Sequence, residues 1–220
     1  ILYTSLGGFY AVVWTDVVQF GLMLLGIVIL GPIIGLNSAG GFNNVVLEYE
    51  KIGSSITNPF INGISSGSIG FFLAYFLTVP GDPTMPQRAL AAKDEKSAKI
   101  SFYISGVLGF FFGFALLIMG GSAFVLMPGL ENPESAMLLF ISEYYPPILK
   151  GLSISAIVAA IMSSFDSFLI LATTHLVYDV GSSLNKDVNE EKMKKLLPKV
   201  TIVIGILGLI IALFIQSLFD

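Results

Sequence analysis

The stretch Thr78-Val79-Pro80-Gly81-Asp82-Pro83-Thr84-Met85-Pro86-Gln87-Arg88 closes an otherwise apolar run over residues 67–88. Three prolines and a glycine here forbid a continuous helix, because each proline lacks a donor N–H and crowds the preceding turn. Asp82 followed by Pro83 reads as a helix N-cap and first helical position. The run is therefore predicted to be two half-helices, with an unwound link at Pro80-Gly81. Backbone exposed at membrane depth is tolerated only where protein or a water-lined cavity satisfies it. Transporters use such broken helices at midplane binding sites. Asp82 accordingly has two readings, a cap or a direct ligand contact.

The rest of the chain supplies the membrane that this reading needs. Hydrophobic residues make up 55% of the 220 and charged residues 12%, with mean hydropathy +0.85. A soluble domain carries about 25% charged residues to cover its surface, so lipid replaces water around much of this chain. A span needs about 20 mostly apolar residues. Five segments qualify, over residues 9–36, 67–88, 100–128, 148–178 and 198–219, and Ile1 to Leu6 read as the tail of a preceding helix. Neither end reads as a natural terminus, so the chain is expected to be cut from something longer. The absence of cysteine excludes disulfides and thiolate chemistry. A single histidine, His175, excludes multi-histidine metal sites and is read as structural. No basic stripe suits nucleic acid.

Nine of the 11 basic residues fall in two loops, Arg88 to Lys99 and Lys186 to Lys199, separated by two spans. Positive charge marks the cytoplasmic face, so loops 89–99 and 179–198 are expected there, in a multi-pass cytoplasmic-membrane protein. The outer loop 37–66 shows no hydrophobic period. Asn132-Pro133 reads as the start of an amphipathic outer-loop helix over about 133–143, folded back onto the bundle. Segment 182–199 is amphipathic enough to lie along the membrane surface. The span at 100–128 is punctuated by Gly106, Gly109, Gly113, Gly120 and Gly121, and Gly109-x-x-x-Gly113 is expected to admit a close neighbouring helix.

Three acidic residues stand within or at the edge of spans: Asp16, Asp82 and Asp166. Each costs about 2.5–3.5 kcal/mol at a helix centre and normally faces a bundle interior or a water path. Asp16, with Gln19 one turn on, reads either as an interfacial residue beside Trp14 or as a cation ligand. At helical spacing Ala160, Ser163, Ser164 and Ser167 form one small polar stripe beside Asp166. Hydroxyls and a carbonyl are hard oxygen donors suited to Na⁺; the same serines also serve to tighten helix packing.

Three stretches together resemble the solute:sodium symporter family: Gly7-Gly8-Phe9-Tyr10-Ala11-Val12-Val13-Trp14-Thr15-Asp16-Val17-Val18-Gln19, Pro86-Gln87-Arg88-Ala89-Leu90-Ala91-Ala92-Lys93-Asp94, and Ala159-Ala160-Ile161-Met162-Ser163-Ser164-Phe165-Asp166-Ser167. They occur in the family's order over nearly the whole chain. The resemblance implies an all-α, polytopic membrane protein, part of a LeuT-type inverted-repeat helix bundle from the end of core helix 4 through core helix 9. The broken span is then core helix 6 and the serine span core helix 8. It further implies that the Ala160 carbonyl and the Ser163 and Ser164 hydroxyls ligate Na⁺. A second cation site would use Asp16, Ser163, Asp166 and Ser167, with an Asp at 166 where the members that have this site carry Ser. Tyr75 and Thr78 match substrate-contacting positions without the side chains of the sugar transporters.

The function expected is Na⁺-coupled symport of a small organic solute by alternating access. The solute class is left open among sugars, amino acids and carboxylates. Expected partners are that solute and the lipid bilayer, with Na⁺ as coupling ion and no organic cofactor, catalytic residue or enzymatic role. The alternative is a transporter-like sensor domain of a signalling kinase that binds solute. An intramembrane aspartyl protease using Asp82 and Asp179 is disfavoured, because Asp82 is better explained as a cap.

Overall fold

A computed structural model describes residues 1–53, 66–184 and 189–215, and among these the regular structure is helical. Four stretches are long and apolar enough to cross a membrane: α1 (Leu2–Ser38), α5 (Glu95–Leu126), α7 (Pro147–Leu184) and α8 (Glu190–Phe214). Between them lie α2 (Phe42–Lys51), α3 (Ser66–Gly81), α4 (Thr84–Leu90) and α6 (Ala136–Tyr144). Residues 54–65, Lys186 and the end of the last expected span lie outside the described residues.

The second expected span, 67–88, is divided. Helix α3 carries on through Pro80 to Gly81, and the interruption falls at Asp82-Pro83 rather than at Pro80-Gly81. The residue before a proline is driven out of the helical region, which places the break at Asp82. Pro83, at φ −70°, is already set for the next helix, and Asp82 Oδ1 accepts the Thr84 N–H at 2.9 Å. That is the N-cap geometry its sequence suggested.

Other helix starts follow the same chemistry. Asp94 accepts the Ser97 N–H at 2.7 Å to begin α5, and that bond holds its carboxyl below the usual carboxylate range. Asn132 accepts the Glu134 N–H at 3.0 Å ahead of a 3₁₀ turn over Pro133–Ser135, which leads into α6. Asn189 does the same for Glu191 at the start of α8.

Segment 182–199 departs from the expected surface helix. Gly181 to Leu184 closes α7, whereas Glu190 to Lys199 forms the first turns of α8 and runs through Pro198. Pairs at i,i+4, Glu190–Lys194 at 3.6 Å and Glu191–Lys195 at 2.7 Å, line these charged turns. Loop 37–66 likewise contains more order than its composition suggested. Gly40 and Gly41, at φ +80° and +94°, reverse the chain as only glycine does readily. The following α2 buries Val45 and sets Tyr49 against Phe124, ring centroids 4.8 Å apart.

The chain divides into two compact units. The larger, Phe20–Ala159, is built on close approach of α1 to its neighbours. A π-helical turn, Leu24–Ile29, contains Gly26, whose carbonyl accepts the Ser153 hydroxyl at 3.2 Å. Gly31 and Gly35 face Met119 and Ser122 of α5. Ile27, Met119, Ala123, Phe140, Ile141, Tyr145 and Ala156 form its core. Phe140 and Ile141 of α6 are fully buried, and the Tyr144 hydroxyl donates to the Leu126 carbonyl at 3.0 Å. The glycines at 106, 109 and 113 have open space around them among the described residues, so the expected contact at Gly109-x-x-x-Gly113 is not made there.

The second unit comprises Ile1–Gln19 and Ala160–Asp220. Within it α1 turns sharply at Gly8, φ 56° and ψ −149°, which separates the run before Gly8 from the long helix after it. This conformation suits glycine and few other residues.

Candidate functional site: a serine turn and a buried aspartate

Three oxygens converge on α7. The Ser163 hydroxyl donates to the Ala160 carbonyl at 3.1 Å, and the Ser164 hydroxyl donates to the same carbonyl at 3.2 Å. Helical spacing produces this, because residues three and four ahead share the turn above residue 160. The two serines spend their protons on their own backbone. Their lone pairs are left as acceptors, and a cation takes lone pairs. Rotation about each Cβ–Oγ bond would also clear the two protons from the Ala160 carbonyl. Ala160 and Ser163 are half-buried and Ser164 is exposed. Ser167 repeats the pattern one turn on, donating to the Ser163 carbonyl at 2.9 Å. The donor set is thus neutral, hard and oxygen-only, which suits a monovalent cation better than a transition metal.

Asp166 lies on the same helix and is 2% exposed. Its two carboxylate oxygens divide between two donors: Oδ1 accepts from Thr4 Oγ1 at 2.7 Å and Oδ2 from the Tyr3 hydroxyl. Neither Tyr3 nor Thr4 stood out in the sequence. Their signal was present only as two hydroxyls in an apolar run, ahead of the Gly7-Gly8 pair. Asp16 is half-buried farther along α1, one turn before the buried Gln19.

The residues proposed on the broken helix belong to the other unit. Tyr75 is 68% exposed. Thr78 is exposed and donates to the Ala74 carbonyl at 2.7 Å. Asp82 is half-buried and engaged as a cap. His175 pairs with Asp179 one turn on, both exposed, which gives Asp179 a local partner.

The model of the sodium:solute symporter family matches residues 1–219. The chain belongs to that family. It is 31% identical to the high-affinity proline transporter PutP of Bacillus subtilis, over 96% of this chain and 46% of the relative. To the sodium/pantothenate symporter of Escherichia coli it is 28% identical, over 96% of this chain and 44% of the relative. It is also 24% identical to the sodium/glucose cotransporter 4 of Danio rerio, over 87% of this chain and 35% of the relative. The chain thus spans a little under half the length of the first two. No solved structure matches it. As a member of this symporter family with four long apolar helices, it is part of a polytopic helical membrane protein.

Proposed function

We propose that the protein carrying this chain is a secondary active transporter that couples inward movement of Na⁺ to that of a small organic solute. The convergence of the Ser163 and Ser164 hydroxyls on the Ala160 carbonyl carries this reading, and family membership supports it. Three neutral oxygens bind a monovalent ion weakly, and a coupling ion must leave again on the far side. Alternating access around a midplane site would do the transport work, and the protein would not act as an enzyme. Na⁺ is the coupling ion, and no organic cofactor enters the scheme.

The relatives are named for proline, pantothenate and glucose, so the solute proposed is a small polar organic molecule. Tyr75, Thr78 and Asp82, on and beside the divided helix, are its proposed contacts. A second cation at Asp16 and Ser167 is a smaller part of the reading, because both oxygens of Asp166 already accept hydroxyl protons. The basic segments 89–99 and 179–198, which include the first turns of α5 and α8, would face the cytoplasm across the cell membrane.

The test is uptake by the whole protein in proteoliposomes, with and without a sodium gradient. Ser163→Ala combined with Ser164→Ala should abolish sodium stimulation, and unchanged stimulation in that double variant would sink the assignment.

A further inference from the structure

The helical run before Gly8 is fastened to two helices of its unit. Thr4 and Asp166 are each 2% exposed and meet at 2.7 Å, and Tyr3 completes the carboxylate's hydrogen bonds. At the other attachment Ile1 fills the notch left by Gly205 of α8, where an added Cβ would stand 2.8 Å from Ile1 Cγ1. The positive φ at Gly8 ends the run, which is tied to α7 by the Asp166 carboxylate and to α8 by the Gly205 notch.

A carboxylate removed from water is stable only when hydrogen-bonded or paired. Here the donors come from residues more than 160 positions away in the chain. Asp166 follows Ser163 by three positions, so the two project from nearly the same face of α7. Whatever fixes the Asp166 carboxylate therefore fixes the rotation and height of the serine turn beside it.

We propose that Tyr3 and Thr4 are positioning residues, whose hydroxyls clamp Asp166 and so hold the Ala160, Ser163 and Ser164 oxygens in the arrangement that takes the cation. The proposal rests on the reading of that turn as the sodium site. The clamp itself need not touch the ion. Its effect is to pre-form the site, so that binding energy is not spent on turning the helix.

The experiment measures sodium dependence of uptake by the whole protein in proteoliposomes, normalised to the amount reconstituted. Thr4→Val keeps the side-chain shape and deletes the donor. It should raise the half-saturating sodium concentration about tenfold, the loss expected of a hydrogen bond to a charged group, with a much smaller change in maximal rate. Tyr3→Phe should shift it in the same direction. Thr4→Ser, which restores a hydroxyl, should return the value to within about twofold of the parent. In an Asp166→Asn background, Thr4→Val should add little, since the two act on one contact.

A half-saturation unmoved by Thr4→Val, equal damage from Val and Ser at position 4, or full additivity with Asp166→Asn would each overturn the clamp. These outcomes are separable from failure of the sodium-site reading. That reading fails if Ser163→Ala with Ser164→Ala leaves sodium stimulation intact, whereas the clamp alone fails if that double variant loses stimulation and the Thr4 series shows no shift.

Discussion

Two runs of glycine in this chain meet opposite fates. Gly26, Gly31 and Gly35 on α1 are all filled from outside: a Cβ at these positions would stand 2.8 Å from the Ala156 Cβ, 2.2 Å from the Met119 Sδ and 2.9 Å from the Ser122 Oγ. Gly106, Gly109 and Gly113 on α5 have nothing within 4 Å among the described residues, and Phe110, Phe111 and Phe114 beside them are exposed. Both stripes carry a G-x-x-x-G pair, Gly31–Gly35 and Gly109–Gly113, yet the first is closed and the second open. Small residues permit close approach, but a neighbour has to be present to use it. On α1 the neighbours are α5 and α7 of the same compact unit, and the hydroxyls of Ser153 and Ser122 fit into the space.

This contrast can be broken by adding one methyl to each stripe. The largest effect is expected at Gly26, where the added Cβ would also stand 3.1 Å from the Ser153 backbone Cα, an atom that a rotamer change cannot move. Gly26→Ala should destabilise the protein by about 2–3 kcal/mol, the upper part of the range for overpacking a filled interior. Thermal unfolding of the purified protein in detergent would read this as a clear fall in midpoint, and an unchanged midpoint would mean the α1–α7 contact is looser than described.

The packed side has a second signature in alkali. Tyr145 belongs to the core that the α1 stripe closes against, is 4% exposed, and its buried hydroxyl makes no hydrogen bond to the described residues. Burial pushes its pKa from 10.0 up to about 12. Below pH 10 the phenol is neutral in both states and its contribution is complete. Between about pH 10 and 12 only the unfolded chain ionises, so stability falls by up to about 2 kcal/mol. Comparison with Tyr145→Phe isolates this loss from lysine titration. The phenylalanine variant should lose less stability than the parent over this range, and parallel curves would show Tyr145 to be wetter than described.

The smallest effect sharpens the contrast from the open side. Gly109→Ala meets no neighbour among the described residues, and alanine is the better helix former by up to about 1 kcal/mol. Its unfolding midpoint should match or slightly exceed that of the parent. A marked fall would reveal a partner helix seated on that face.

Much of the fold is legible in the sequence, because lipid exposure imposes long apolar runs and proline position imposes breaks. The division of the 67–88 run was legible from Pro83, although its place shifted by two residues, from Pro80-Gly81 to Asp82-Pro83, once Asp82 acted as the cap. Helix α2 was missed because only Val45 and Tyr49 mark its inner face, too few to make a period. The start of α8 was misassigned because charge on residues 190–199 does not distinguish a surface helix from the first turns of a span. In the candidate site, Ala160, Ser163 and Ser164 were legible because their spacing is local to one helix. Tyr3 and Thr4 were not, since no local spacing joins position 4 to position 166.

The central claim is that the serine turn of α7 holds Na⁺, and binding of radioactive sodium to the purified whole protein tests it without needing to know the solute. Ser163→Ala with Ser164→Ala should abolish saturable binding. Ser155→Ala, which removes an exposed hydroxyl bonded to the Gly151 carbonyl on the same helix, should leave binding as in the parent. Undiminished sodium affinity in the Ser163/Ser164 double variant would contradict the account.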